Sequence, residues 1–367
     1  MAASEYDVVV IGGAAAGTAA ALALARYTCL RVALIERRRF EDFRAGESVS
    51  SSLLSLLDFL GVSRAAVAGA QLPTYSHAAA WGSDALVMRN TIFSSQGDAL
   101  QLDRRQYDSI LLEQVAGAGV ALYRPADIVQ IAHEPDGLPW RLRLALDGSE
   151  CDIGARYLID CSGKSALIVK KQGRAMHSED ALVALYGYYD LGAGTDLPQQ
   201  TLVETTEHGW YYVSPLPGKL VAVAFITDAD ILKRLDLNLD ANWRALASGT
   251  VHVRKIMAQL PAVAAMRHYA IHSRVASLPD NANWTAAGDA AMCFDPMAAM
   301  GIGHAVSSGI HAARVAEACL LGDAGMARRY HRTLFDSFAA YLNMRRNYYA
   351  AEQRWPQAPF WQRRGRP

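Results

Sequence analysis

Tyr6 to Ile11 (YDVVVI), a run rich in β-branched residues, leads straight into Gly12-Gly13-Ala14-Ala15-Ala16-Gly17. An alanine-rich stretch continues to about Tyr27, and a second apolar run, Arg31 to Ile35, ends on Glu36. Strand, tight glycine turn, helix, strand and acid are the opening βαβ unit of a dinucleotide-binding fold, and they leave little freedom for the rest of the chain. Gly12 makes the turn. Small residues at Ala14 and Gly17 let backbone and helix approach a pyrophosphate, whose charge the helix N-terminus favours. Glu36 stands where it can accept hydrogen bonds from the adenosine ribose, and Gly13, Ala16 and Arg37 flank these positions. One departure is Ala14, a methyl group where the pattern has its middle glycine.

Three further segments favour FAD over NAD. Arg44-Ala45-Gly46-Glu47-Ser48 precedes an apolar helix expected over 49–60. In Leu102-Asp103-Arg104-Arg105-Gln106-Tyr107 the acid and the Gln have capping-box spacing, which puts Arg104 and Arg105 in a first helical turn. Cations are disfavoured at that end of a helix. A phosphate or ribityl chain beside Arg104 explains the placement better than a surface ion pair does. The third segment is WTAAGDAAMCFDPMAAMGIGH, from Trp284 to His304. A short strand over 284–287 leads to Gly288-Asp289, and Gly301 opens a helix to about Leu321. Asp289 suits a ribityl hydroxyl. Pro296, Met300, Gly301 and Ile302 suit the edge of the flavin that becomes anionic on reduction.

As a set, these segments resemble the flavin-site motifs of the group A flavoprotein monooxygenases. Asp160-Cys161-Ser162-Gly163-Lys164-Ser165 resembles the D-x-x-G-x-x-S segment of the same superfamily, with its serine one residue early. The resemblance implies an α/β fold. Its parts are a Rossmann-like FAD-binding domain (1–75, 98–170 and 275–322), an inserted antiparallel β-sheet domain for substrate or partner (76–97 and 171–274), and a C-terminal helix and tail (323–367). Alternating apolar runs at 182–189 and 220–225 supply strands of the inserted sheet. Met326, Tyr330, Leu334, Phe338, Tyr341 and Leu342 mark an amphipathic helix. The aromatic and basic tail after Trp355 reads either as a strap on the flavin domain or as a protein–protein surface.

Lys plus Arg equals Asp plus Glu at 36 each, so no global field draws the 367-residue chain to nucleic acid or to a membrane. Five scattered cysteines without C-x-x-C spacing argue against zinc and disulfides and point to a reducing, cytoplasmic compartment. No metal is expected. A second glycine-rich dinucleotide fold is missing, so NAD(P)H or another reductant, if used, binds transiently or belongs to another protein.

Gly209-Trp210-Tyr211-Tyr212-Val213-Ser214-Pro215 looks like the W-x-W-x-I-P box of flavin-dependent halogenases, with Tyr212 and Ser214 substituted. Asp295-Pro296-Met297-Ala298-Ala299-Met300-Gly301 resembles their halide loop but lacks its hydroxyl residues. The first Lys of the chain is Lys164, so the early lysine of halogenases is absent.

A narrower likeness rests on Ala80-Trp81-Gly82-Ser83, Asp103-Arg104-x2-Tyr107-Asp108, Gly209 to Tyr212 and Glu352-Gln353-Arg354-Trp355-Pro356-x2-Pro359-Phe360-Trp361. These resemble the flavoprotein maturases of tryptophylquinone-containing amino-acid oxidases. The likeness implies a monooxygenase-like enzyme that uses FAD and O2 to oxygenate a tryptophan of a partner oxidase precursor. Glu47, Trp210 and Tyr212 are candidates near the chemistry, and His304 is a weaker one. Two alternatives remain open, a small-molecule aromatic hydroxylase and a non-catalytic flavin-binding chaperone.

Overall fold

A computed structural model describes residues 4–91, 98–134, 138–192, 196–261, 266–280, 283–323 and 325–365. Residues 92–97 of the inserted segment, and Arg366 and Pro367 of the tail, lie outside the described residues. Strand Ser4–Ile11 pairs in parallel with Val32–Ile35 on one side and with Ser149–Asp160 on the other. Ala121–Tyr123 and Trp284–Ala286 extend this parallel core at its two sides. Residues 8–11, Val32–Ile35 and Trp284–Ala286 are buried on both faces, as the continuous apolar runs require. Helices Ala15–Tyr27 and Gly301–Leu320 pack side by side on one face. A Cβ on Gly309 would stand 2.2 Å from the Ala16 carbonyl oxygen, so small residues set this approach.

Ser149–Asp160 is long enough to serve twice. Its first half pairs antiparallel with Trp140–Leu146, which pairs in turn with Ala126–His133. A second seven-stranded sheet runs Arg267–Ala270, Leu182–Asp190, Leu220–Asp228, Gly209–Leu216, Gln200–Thr206, Ser76–Ala80 and Val87–Asn90. All its pairings are antiparallel except Gln200–Thr206 with Ser76–Ala80, which is parallel and departs from the purely antiparallel expectation. Period-two alternation gives the sheet two apolar faces. Tyr211, Val213, Val223 and Phe225 pack beneath Trp243 on helix Asp240–Ser248. Tyr186, Trp210, Ala222 and Ala224 face the other way, toward Tyr349, Phe360 and Trp361.

Several local expectations need correction. The helix expected over 49–60 is strand Ser48–Val49 followed by helix Ser52–Phe59. Asp103 does cap its helix through the Arg105 amide. Gln106, however, bonds the Asp103 carboxylate instead of its backbone N–H, which goes to the Ala70 carbonyl, so the capping box is not reciprocal. The tail takes the strap reading, but it is seated on the second sheet. Helix Gly325–Ala350 is followed by a turn that seats Phe360 (0 % exposed) and Trp361 (4 %) in the sheet's aromatic face. Arg363 pairs with Asp228 and Asp230, and Arg364 pairs with Asp228. The tail is a strap, and its aromatic and basic residues are used internally rather than offered as a docking surface. Among the described residues no helix is long and apolar enough to cross a membrane, and no acidic, His and Cys cluster is placed to hold a metal ion.

Candidate functional site

The glycine turn is built by steric necessity. Gly12 has φ +105°, and a Cβ there would sit 2.2 Å from the Cys161 carbonyl oxygen. A Cβ on Gly17 would stand 1.7 Å from the Gly12 carbonyl oxygen, so Gly17 serves the fit of helix to strand end rather than access to a ligand. Glu36 is buried; its two carboxylate oxygens accept the Gly13 amide (2.6 Å) and the Arg38 amide (2.7 Å). Arg37 projects to solvent. No side chain caps helix Ala15–Tyr27 at Ala14, which leaves first-turn amides at the mouth of the turn.

Arg104 and Arg44 converge on one buried carboxylate, Asp108, at 2.9 Å and 2.8 Å. Arg105 pairs with Asp103 and lies over the Phe43 ring at 3.7 Å. Both arginines of this first helical turn therefore have a carboxylate partner within the chain. Arg104 also donates to the Ala45 and Gly46 carbonyls, holding the loop that carries Glu47.

Gly288 (φ +58°) packs against the Ala16 methyl, and its amide donates to Ser308. Asp289, next in sequence, is half-buried, and its carboxylate has no hydrogen-bond partner among the described residues. Helix Gly301–Leu320 likewise starts without a side-chain cap, and a Cβ on Gly301 or Gly303 would meet nothing within 4 Å. Pro296 lies in the single helical turn capped by Asp295, and Met300 is exposed. His304 packs edge-on against Phe294 at 5.0 Å; its Nε2 has no hydrogen-bond partner among the described residues, and burial drives its pKa down to about 4. A neutral imidazole so placed is no proton donor at neutral pH.

Glu47 is a buried acid that faces the tyrosines of the aromatic sheet. It is 2 % exposed, accepts the Tyr188 hydroxyl at 2.9 Å and the Gly46 amide at 3.1 Å, and lies within electrostatic reach of Tyr186, Tyr212 and Tyr269. Burial raises its pKa from 4.5 to about 7, against the opposing pull of Tyr188 and Arg104. Tyr212 donates to Gln101, whose amide donates to Ser48. Trp210 does not belong with them. It is 1 % exposed, donates to the Tyr349 hydroxyl at 3.1 Å and is sealed beneath the strap with Trp81, so it cannot wall a substrate pocket. Tyr211 lies on the opposite face, bonded to the Trp243 carbonyl. Sequence reasoning missed Tyr188; the one signal for it is its even-numbered place beside Tyr186 on the inner face of Leu182–Asp190.

The state of Glu47 has a measurable sign. Between about pH 4.5 and 7 the unfolded chain releases this proton while the folded chain keeps it. Its contribution to stability is complete below pH 4.5 and is lost as pH rises through 7, by roughly 3 kcal/mol. Glu47→Gln is expected to flatten that part of the stability–pH curve in urea titrations. An unchanged slope in the variant would assign the titration to another group.

A glycine turn on a parallel sheet, two uncapped helix N-termini and a carboxylate without a hydrogen-bond partner among the described residues suit an FAD-dependent oxidoreductase of the single-Rossmann type. The chain belongs to the FAD binding domain family, whose model matches residues 5–332. It is 30% identical to the putative FAD-dependent oxidoreductase LodB of Marinomonas mediterranea, over 98% of this chain and 97% of that one. Its fold matches the flavin-dependent halogenase CmlS with a TM-score of 0.87 at 23% identity, covering 100% of this chain and 68% of that one. The peptidyl tryptophan dihydroxylase QhpG, essential for tryptophylquinone cofactor biogenesis, matches with a TM-score of 0.77 at 23% identity, covering 98% of this chain and 79% of that one. These structural likenesses establish the fold.

Proposed function

We propose that this FAD-dependent oxidoreductase oxygenates a tryptophan borne by a partner amino-acid oxidase precursor, as a step in tryptophylquinone maturation. The observation that carries the reading is the near full-length likeness to LodB, together with a fold shared with a peptidyl tryptophan dihydroxylase. Halogenases share the fold as well. However, no Lys precedes Lys164, and Ala299 and Met300 stand where the halide loop has hydroxyl residues.

The residues present fit FAD. The uncapped helix at Ala14 to Gly17 suits the pyrophosphate and Glu36 the adenosine ribose. Arg44 and Arg104 stiffen the adjoining loop, Asp289 would accept from a ribityl hydroxyl, and the amides of Gly301 and Ile302 would favour negative charge on the flavin. Bound FAD supplies the reaction of reduced flavin with O2 from which oxygen reaches an electron-rich ring. The chain contributes water exclusion, orientation of the indole and proton transfer. Glu47 and Tyr188 are the pair for the last: a carboxyl half-protonated near neutrality, hydrogen-bonded to a phenol on the aromatic sheet, gives or takes a proton at little cost.

Asp289→Ala removes a charge-assisted hydrogen bond worth about 1.5–3 kcal/mol and is expected to weaken FAD binding at least about tenfold in a fluorescence titration. Unchanged affinity would move the ribityl chain elsewhere. Pull-down and calorimetry test the protein substrate: the unmodified oxidase precursor binds, and the mature quinone form binds less well. Equal binding of both forms would favour a free indole or phenol as substrate.

A further inference from the structure

The Asp-Pro turn that precedes helix Gly301–Leu320 is gripped from outside the flavin domain. Asp295 is completely buried. Its Oδ1 accepts the Met297 amide at 3.0 Å and so shapes the turn Pro296–Ala298. Its amide and Oδ2 bond one face of the C-terminal helix, at four-residue spacing. The Asp295 amide donates to the Tyr341 hydroxyl at 2.8 Å, Arg345 Nε donates to Oδ2 at 3.3 Å, and the Tyr349 hydroxyl donates to Oδ2 at 2.8 Å. Tyr349 then accepts the Trp210 indole N–H from the aromatic sheet at 3.1 Å. Arg345 reaches Asp180, at the start of the same sheet's segment, at 2.8 Å. The result is an unbroken buried chain from Trp210 through Tyr349 and Asp295 to the turn that aims the Gly301 helix.

Packing alone does not demand this arrangement. A phenylalanine at 349 would fill the same space, yet the structure places a hydroxyl there that both accepts and donates. A group with two fixed partners in a low-dielectric interior allows little play in either. Ala299, held at φ +49° just after the turn, has few alternative conformations that keep Gly301 in place.

We propose that Tyr349 is a positioning residue that fixes the first-turn amides of Gly301–Leu320 against the flavin and ties their position to Trp210 on the substrate sheet. The proposal rests on the reading that this helix start faces the negative charge of reduced FAD. Removing the hydroxyl then weakens binding of reduced FAD more than binding of oxidised FAD.

The test is the midpoint potential of bound FAD in the full-length protein, measured by dye equilibration on Tyr349→Phe and Trp210→Phe. Tyr349→Phe is expected to disfavour reduced over oxidised FAD about tenfold, a fall of about 30 mV for a two-electron couple. Trp210→Phe keeps an aromatic ring and should shift the potential the same way by a smaller amount; it also serves if Tyr349→Phe folds poorly. A merely structural hydroxyl would lower the unfolding midpoint and leave the potential of the folded, FAD-loaded protein unchanged. Unchanged potentials in both variants overturn the proposal. If Asp289→Ala weakens FAD binding while those potentials stay fixed, the flavin site stands and only the positioning role falls. If Asp289→Ala also leaves FAD binding unaffected, the site reading falls and the proposal falls with it.

Discussion

Phe360→Ala is expected to remove about 3–5 kcal/mol of folding stability, read as a lower urea midpoint with an unchanged slope. The side chain is fully buried against Trp361 (5.0 Å between ring centroids) and Tyr349 (6.1 Å), and Arg364 lies over its ring at 3.8 Å. A cavity there opens between the strap and the aromatic sheet, where little can collapse to fill it. Removal of the tail from Trp355 onward should cost at least as much, since Trp361 is also stacked on Trp355 and its indole bonds the Thr206 carbonyl. A loss below about 1 kcal/mol would mean that the strap is not part of the core.

Gly17→Ala is expected to abolish FAD uptake and to destabilise the fold by roughly 3 kcal/mol or more. The added methyl would lie 1.7 Å from the Gly12 carbonyl oxygen, a backbone atom that cannot step aside. Strand and helix would have to part at the point where the dinucleotide turn is formed. Absorbance of the purified variant reports FAD, and urea titration reports the fold. A yellow variant of wild-type stability would show that the turn is not built this way.

Much of the flavin half was legible in the sequence because each of its elements is coded locally. YDVVVI, the glycines at 12 and 17 and the acid at 36 fix strand, turn, helix and strand within about thirty residues, a unit whose geometry is nearly invariant. Gly288-Asp289 and the Gly301 helix were legible for the same reason. The tail was not. Phe360, Trp361, Arg363 and Arg364 are the composition of a protein interface, and only the tertiary structure shows Asp228, Asp230 and Tyr349 waiting for them within the same chain. Arg104 has a partner that local sequence did not reveal. Helix-dipole reasoning asked for an anion and the chain supplied one, Asp108, a turn later. Trp210 was a candidate near the chemistry because it stands in a halogenase-like box, yet the strap seals it here. Glu47 was visible as a residue, but its meaning depends on Tyr188 from a distant strand and on burial that no local pattern encodes.

The most direct test of the proposed activity is the mass of the partner oxidase itself. The precursor is to be made with this protein, without it, and with the Glu47→Gln variant, and the peptide bearing the target tryptophan analysed by mass spectrometry. Oxygen atoms on that tryptophan only when the wild-type protein is present, and sharply fewer with Glu47→Gln, is the predicted result. The same oxygenated peptide in the absence of this protein would contradict the account.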